Sequence, residues 1–201
     1  MPVEFEPTEE YILEDDRVLL RPLKLEDFDN LSPFALNEPE LWKYSLITAA
    51  GEEGLANYME IALEARTKGK EYPFIVFDKQ TGEYAGSTRF YDINIPFKTL
   101  QLGYTWYGEN FQRTGLNRHC KFLLLSFAFE DLGMERVEFR ADNNNERSIA
   151  AMKAIGCKVE GVFRSHMPTR DENVRRDSIV LSILKDEWFG EVKEKLKKKL
   201  I

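Results

Sequence analysis

The stretch at positions 112–117 reads Gln112-Arg113-Thr114-Gly115-Leu116-Asn117, and it joins a strand-like run to the clearest helical pattern of the chain. The first turn of a helix leaves backbone N–H groups without intrahelical partners, which together with the helix dipole suit a phosphate group. Gly115 removes a side chain where a diphosphate would approach the backbone, and Asn117 is a suitable N-cap residue. The stretch therefore predicts an anion-binding turn. An ordinary strand-to-helix turn is an equal alternative, because one glycine-containing turn is weak evidence.

The residues after this turn alternate between helical and strand patterns. Apolar residues at helical spacing predict a helix over 116–132, and Gly133 follows it as a stop. A strand at 137–141, a helix at 146–155 and two strands at 157–166 and 174–184 come next. A last helix at 185–201 ends the pattern, with apolar residues on one face and lysines at its end.

The residues before the turn predict the other half of one domain. Aromatic and β-branched runs at 72–78, 84–93 and 100–107 predict an antiparallel meander. Ahead of them lie a strand at 17–20, a helix around Leu25 to Leu31 and a second helix at 51–68. No repeat or linker interrupts this order, so residues 1–201 are expected to form a single α/β domain with an acidic N-terminal extension at 1–16.

Composition limits the possible partners and location. The chain has 201 residues, of which 43% are hydrophobic, and this suits one full-sized core. Lys+Arg 28 against Asp+Glu 35 gives a net charge of -7, which argues against a nucleic-acid partner. A small anion could still find positive potential near Arg113, Arg118, His119 and Lys121. No secretory signal or membrane-spanning run is present, so we expect a cytoplasmic protein without a membrane partner.

The cysteines and histidines carry no predicted metal chemistry. Cys120 and Cys157 match no metal-ligand spacing and are expected to be reduced and buried. His119 and His166 have no metal partner at ligand spacing, and a structural role is the default for both. We therefore expect no metal.

The central stretch resembles the cofactor-binding motif Q/R-x-x-G-x-G/A of the GNAT superfamily. Gln112 and Gly115 match this motif, whereas Asn117 departs from its last position. Five further segments, in the right order, resemble signatures of the RimJ/RimL-like branch of that superfamily: 17–27, 142–148, 154–157, 160–164 and 176–178.

This resemblance implies the GNAT acyl-CoA N-acyltransferase fold. That fold is an α/β (α+β) arrangement with a mixed, mostly antiparallel sheet, whose central parallel strands splay apart, flanked by helices. Here those strands are 100–107 and 137–141, and the pantetheine arm of acetyl-CoA would lie between them. The implied cofactor-binding residues are Gly103, Tyr104, Thr105 and Trp106 along the arm, and Gln112, Arg113, Thr114, Gly115, Leu116, Asn117 and Arg118 around the diphosphate.

The resemblance also implies roles in catalysis. Asn145 would contact the CoA arm, although a plain N-cap is an equal alternative. Ser148 would protonate the CoA sulfur as the general acid and bind the cofactor, against the alternative of an exposed first-turn serine. The general base is left open among Glu109, Glu138, Asp142 and Glu160, and a water relay needs none of them. Phe90, Tyr91 and Tyr104 are candidates for the acceptor cleft, with a core position as the alternative.

Three functions from different classes fit these patterns. The first is an N-acetyltransferase that transfers the acetyl group of acetyl-CoA to a primary amine, which is a protein N-terminus or a small molecule. The second is a non-catalytic, CoA-binding regulatory domain, and the third is a phosphate-binding α/β domain unrelated to CoA. Acceptor choice depends on the loops at 31–50 and 169–173, and a monomer and a homodimer both remain open.

Overall fold

A computed structural model describes residues 4–171 and 173–200. The two ends of the predicted domain, residues 1–3 and 201, and position 172 of the predicted acceptor loop lie outside the described residues. Among the helices of the described ranges, none combines the length and the apolar character needed to cross a bilayer.

One eight-stranded sheet forms the centre of the fold, with the strand order β1-β2-β3-β4-β5-β6-β8-β7. All neighbouring strands are antiparallel except β5 and β6. This confirms the predicted mixed, mostly antiparallel sheet and its meander. The strands are β1 Leu13–Glu14, β2 Val18–Pro22, β3 Tyr72–Asp78, β4 Glu83–Asn94, β5 Thr99–Tyr107, β6 Arg136–Asp142, β7 Lys158–Pro168 and β8 Arg175–Leu184.

Within the described residues, five helices flank the sheet, close to the predicted positions except that the first one begins and ends later than the helix predicted around Leu25 to Leu31. They are α1 Phe28–Asn37, α2 Gly51–Thr67, α3 Leu116–Ser126, α4 Glu146–Ala154 and α5, which runs through Lys185–Glu187, Trp188–Val192 and Lys193–Lys197. A π-helical turn, Phe127–Asp131, extends α3, and 3₁₀ turns lie at Leu25–Asp27, Pro39–Trp42 and Glu109–Phe111.

The helices form a layer on each face of the sheet. Apolar residues of α3, α4 and α5 pack into the larger core on one face, where Leu116, Cys120 and Leu124 follow one another at helical spacing and are buried. Helices α1 and α2 cover the other face with a second core around Trp42 and Trp106. Between these two layers the sheet is interrupted where β5 and β6 separate.

The acidic N-terminal segment packs onto the domain. Its strand β1 was missed by the sequence analysis, because two residues are too few to show a period. The Tyr11 backbone N–H donates to the Tyr72 hydroxyl at 3.0 Å, and Arg66 Nε donates to the Pro7 carbonyl at 2.8 Å. Phe5 and Tyr11 lie against the larger core. The described part of the segment is therefore part of the packed structure.

Strands β5 and β6 splay apart, as predicted. They pair at only three positions, where Thr99, Leu100 and Gln101 lie opposite residues 136–138. Beyond this point β5 continues to Tyr107 paired only with β4, and β6 continues to Asp142 paired only with β8. Each strand therefore presents to the gap an edge that pairs with no other strand.

Candidate active site

A β-bulge distorts β5 along its free edge. Ser87 lies opposite Trp106 and Arg89 lies opposite Gly103, so β5 uses one more residue than β4 between these pairs. Tyr104 takes up this extra residue with a φ of 48°, which is uncommon for a residue with a side chain. The bulge lies within the stretch predicted to bind the pantetheine arm, 103–106.

The predicted anion-binding turn ends at the start of α3. Gly115 has a φ of 94° and is the N-cap of the helix, without a side-chain capping bond. The prediction that Asn117 is the N-cap was wrong, because the helix begins two residues earlier on the conformation that glycine allows. Thr114 Oγ1 donates to the Phe111 carbonyl at 2.8 Å. The backbone N–H groups of residues 113–115 donate no hydrogen bond within the described residues.

Gln112 connects this turn to the start of α4. Its Nε2 donates to the Tyr107 carbonyl at 2.9 Å, and its Oε1 accepts from Arg147 Nη1 at 2.6 Å. At the start of α4, Asn145 Oδ1 accepts from the Ser148 backbone N–H at 3.1 Å. The N-cap alternative for Asn145 is thus confirmed. Ser148 is half-buried in the first turn of α4.

The predicted basic cluster on α3 divides into two parts. Arg113 and Arg118 are exposed, and Arg118 Nη1 donates to the Lys199 carbonyl at 3.3 Å. His119 and Lys121 are buried, so their grouping with the two arginines was wrong. Residues close in sequence on a helix point in different directions, and here 119–121 face the sheet.

Lys121 lies under the gap between β5 and β6. Its Nζ donates to Thr105 Oγ1 at 2.8 Å and lies 6.0 Å from the centre of the Phe139 ring on β6. Thr105 Oγ1 also shares a hydrogen bond of 2.7 Å with Thr88 Oγ1. Burial lowers the pKa of Lys121 to about 8.

A buried arginine marks the opposite face of the sheet. Arg89 is 0% exposed and lies between the rings of Tyr58 and Tyr104, at 4.5 and 4.2 Å from their centres. Its Nη1 donates to Glu71 Oε2 at 2.6 Å, while Nε and Nη2 have no partner within the described residues. Arg89 was not predicted as a site residue, because a lone arginine in a strand carries no signal of its burial.

Of the three aromatic residues predicted for the acceptor cleft, two share the face of Arg89. Tyr91 and Tyr104 lie edge to face with ring centres 5.1 Å apart, and both are only partly buried. Burial raises the pKa of both hydroxyl groups. Phe90 is 0% exposed in the larger core, so its prediction for the acceptor cleft was wrong and the alternative of a core position is confirmed. Alternation along β4 turns it to the other face.

A cavity of about 180 Å³ lies near the end of β6. It is lined by Lys43, Tyr44, Ser45, Leu46, Asp142, Thr169, Arg170, Asp171 and Arg176, which include parts of both predicted acceptor loops. Burial lowers the pKa of Arg176, whose Nη1 donates to the Tyr44 carbonyl at 3.3 Å. Three cationic and two acidic side chains therefore surround the cavity.

Asp142 is the one base candidate that lines this cavity. It is 7% exposed, and its Oδ1 accepts from the Asn144 backbone N–H at 2.9 Å. Glu138 instead pairs with Arg140 at 2.7 Å, and Glu160 pairs with Arg136 at 2.6 Å. Glu109 is exposed beside the turn. Among the four candidates for the general base, the geometry thus favours Asp142.

His119 has acidic neighbours that the sequence analysis did not expect. Its Nδ1 lies 2.7 Å from Asp15 Oδ2, and Asp16 is close enough for the three ligand atoms to lie within 4.8 Å of one another. No metal partner was predicted for His119 at ligand spacing, because residues 15 and 16 are remote from it in sequence. A hydrogen bond between His119 and Asp15 accounts for the geometry. Cys120 and Cys157 are buried free thiols, as predicted.

Comparisons with known proteins agree with this architecture. Residues 17–158 match the family model of the acetyltransferase (GNAT) domain. The chain is 26% identical over 176 residues to the uncharacterized N-acetyltransferase p20 of Bacillus licheniformis, which covers 87% of this chain and 97% of that protein. A crystal structure of a GCN5-related N-acetyltransferase from Brucella melitensis has a TM-score of 0.88 at 25% identity, covering 98% of this chain and 88% of the other.

A second similar structure is a complex with a ligand. Mycobacterium smegmatis RimJ in complex with CoA-disulfide has a TM-score of 0.78 and 18% identity, covering 94% of this chain and 93% of the other. At this identity the likeness shows the shared fold.

Proposed function

This chain belongs to the GNAT acetyltransferase family, and we propose that it transfers the acetyl group of acetyl-CoA to a primary amine. Family membership argues against the third hypothesis from the sequence, a phosphate-binding α/β domain unrelated to CoA. The observation that carries the proposal is the gap between the free edges of β5 and β6, with the Gly115 turn at the start of α3.

The described residues fit the two ends of acetyl-CoA. The free edge of β5 at 103–106 offers backbone groups to the pantetheine amides, as a neighbouring strand would. The unpartnered N–H groups of 113–115 suit the diphosphate, with the exposed Arg113 nearby. Mycobacterium smegmatis RimJ, which shares the fold, binds CoA-disulfide, and this supports the same class of ligand here.

Bound acetyl-CoA supplies the thioester, and the protein's residues supply position and proton transfer. In the proposal, the link between Gln112 and Arg147 holds the anion-binding turn beside α4. Asn145 fixes the first turn of α4, which carries the Ser148 hydroxyl as the proposed general acid. Asp142, facing the cavity, is the candidate to orient the amine or an intervening water.

The acceptor in this proposal is a primary amine that enters from the side of the cavity. The cationic groups Lys43, Arg170 and Arg176 surround it together with two carboxylates. A protein N-terminus fits this mixture of charges. Its amine can pair with the carboxylates, and its backbone carbonyls can accept hydrogen bonds from the arginines.

Thermal unfolding with and without acetyl-CoA tests the donor. A ligand that binds only the folded state raises the midpoint with its concentration, and Gly115→Glu should abolish the rise by placing a carboxylate at the anion site. The matched control is Gly82→Glu, since Gly82 has a φ of 73° in an exposed turn with no atom near its Cβ position. No rise for the wild-type protein would overturn the proposal.

Release of free CoA thiol with a panel of peptides and small amines then tests turnover. Turnover with at least one amine is expected. A rise in midpoint without turnover on any amine would instead favour the non-catalytic CoA-binding alternative.

A further inference from the structure

Lys121 is a buried ammonium at the point where β5 and β6 separate. It projects from α3, is 5% exposed, and reaches Thr105 on β5 and the Phe139 ring on β6. Neighbouring positions on this face of α3, such as Cys120 and Leu124, are apolar core. A lysine among them therefore needs a reason other than packing.

The ammonium group lacks an opposite charge. No carboxylate lies within 4.0 Å of its Nζ among the described residues, because it appears in none of their ion pairs. The titratable groups that face it are Cys120 on its own helix and Cys157 after α4, and burial raises the pKa of both thiols to about 12. Both neighbours are thus neutral at physiological pH, and the buried charge is uncompensated.

The hydrogen bonds of Lys121 are also incomplete. An ammonium carries three donors, and Thr105 Oγ1 accepts from one of them. Thr105 in turn shares a hydrogen bond with Thr88 and lies 3.4 Å from the Gly103 carbonyl. This network ends on β4 and β5, and among the described residues the other two donors of Lys121 have no hydrogen-bond acceptor.

We propose that Lys121 is a cofactor-binding residue whose ammonium donates to a carbonyl oxygen of the acyl-pantetheine arm lying between β5 and β6. The arm carries neutral carbonyl groups, which supply the acceptors that the protein lacks at this point. The inference rests on the proposed function, because it requires acyl-CoA in the gap. It differs from the sequence prediction, which grouped Lys121 with residues near the phosphates.

Calorimetric titration of Lys121→Met with two ligands tests this contact. The ligands are CoA and its nucleotide half without the arm, 3′-phosphoadenosine 5′-diphosphate. Removal of a charge-assisted hydrogen bond should weaken CoA binding by about tenfold or more, with nucleotide binding unchanged. Met has a similar length and suits an apolar site, so the unliganded variant should also unfold at a higher temperature than the wild type.

Two further variants control this experiment. Lys153→Met makes the same change on the exposed side of α4, and it should leave both affinities and the midpoint unaltered. Lys121→Gln keeps a neutral donor, so its loss of CoA affinity should be smaller than that of Lys121→Met. It also provides the measurement if the Met variant fails to fold.

Three results would overturn the inference. Unchanged CoA affinity in Lys121→Met would show that the ammonium makes no contact with the arm. Equal losses for both ligands would place its effect on the phosphates or on folding. Both results leave the proposed function intact if the wild-type protein binds CoA, whereas a wild-type protein that does not bind CoA would overturn both proposals.

Discussion

At the residue scale, the unpaired charge of Lys121 determines the direction in which the stability of the protein changes with pH. Its pKa in the folded protein is about 8, below the ordinary 10.5 of an unfolded lysine. Between these values the unfolded chain binds more protons, so the free energy of unfolding rises with pH in this window. The destabilisation is fully present below pH 8 and disappears as the pH passes 10.5.

We therefore expect the stability difference between Lys121→Met and the wild type to shrink on going from pH 7 to pH 10.5. The shift corresponds to about 3 kcal/mol at most, at 1.36 kcal/mol per pKa unit. Urea unfolding of both proteins at several pH values measures it, and the comparison cancels the titration of all shared groups. A constant difference across this range would contradict the assignment.

Ser148 permits a second prediction at this scale. If its hydroxyl protonates the leaving thiolate, Ser148→Ala should lower kcat by about a hundredfold and leave the affinity for CoA nearly unchanged. Steady-state kinetics and calorimetry measure the two effects separately. Ser32→Ala on α1 is the matched control, because Ser32 is half-buried like Ser148. Equal turnover in both variants would contradict the role of Ser148 as the general acid.

At the element scale, helix α4 is positioned by its first turn. Asn145 caps the helix by accepting from the Ser148 backbone N–H, and Arg147 in the same turn binds Gln112. Asn145→Ala should cost about 1 kcal/mol of stability, whereas Asn145→Asp keeps a capping oxygen and should cost less. Thermal unfolding of both variants checks this order. Loss of CoA affinity in the stable Asp variant would indicate a separate contact with the cofactor arm.

Periodicity predicted most elements of this fold, because burial of one face imposes it on helices and strands alike. Periodicity failed where an element was too short to show a period, or where backbone conformation set the end of an element. Strand β1 has two residues, and the N-cap moved from Asn117 to Gly115 because glycine accepts the left-handed conformation. Phe90 and Lys121 were placed on the wrong surfaces, since their faces depend on register with other elements.

The sequence predicted short segments of the candidate site, but it did not predict how segments distant in sequence come together. The turn at 112–117, Asn145 and Ser148 follow from local sequence, and Gln112 and Arg147 join them in space. The cavity is lined by residues more than 90 positions apart in sequence, such as Lys43 and Asp142. Local patterns in a single sequence do not reveal contacts between residues so far apart. Arg89 likewise owes its environment to Tyr58, Glu71 and Tyr104.

At the scale of the whole molecule, the N-terminal segment connects to both α2 and the sheet. Deletion of residues 1–12 would remove the packing of Phe5 and Tyr11 and expose the buried Tyr72. Burial of large aromatic side chains contributes about 2 kcal/mol each, so the midpoint of thermal unfolding should fall by several degrees. Tyr11→Phe removes only the hydroxyl that accepts from the Glu6 backbone N–H and should cost much less. An unchanged midpoint in the deletion variant would contradict this role.

The short contact between β5 and β6 also divides the sheet into two hydrogen-bonded blocks, β1 to β5 and β6 to β8. Three residue pairs are a narrow seam, so amide protons on the two sides should exchange with deuterium as two separate cooperative units. A ligand whose own amides bond to both edges would act as a removable strand. On its arrival the two blocks should merge into one unit, and the slowing of exchange would extend to amides that the ligand never touches.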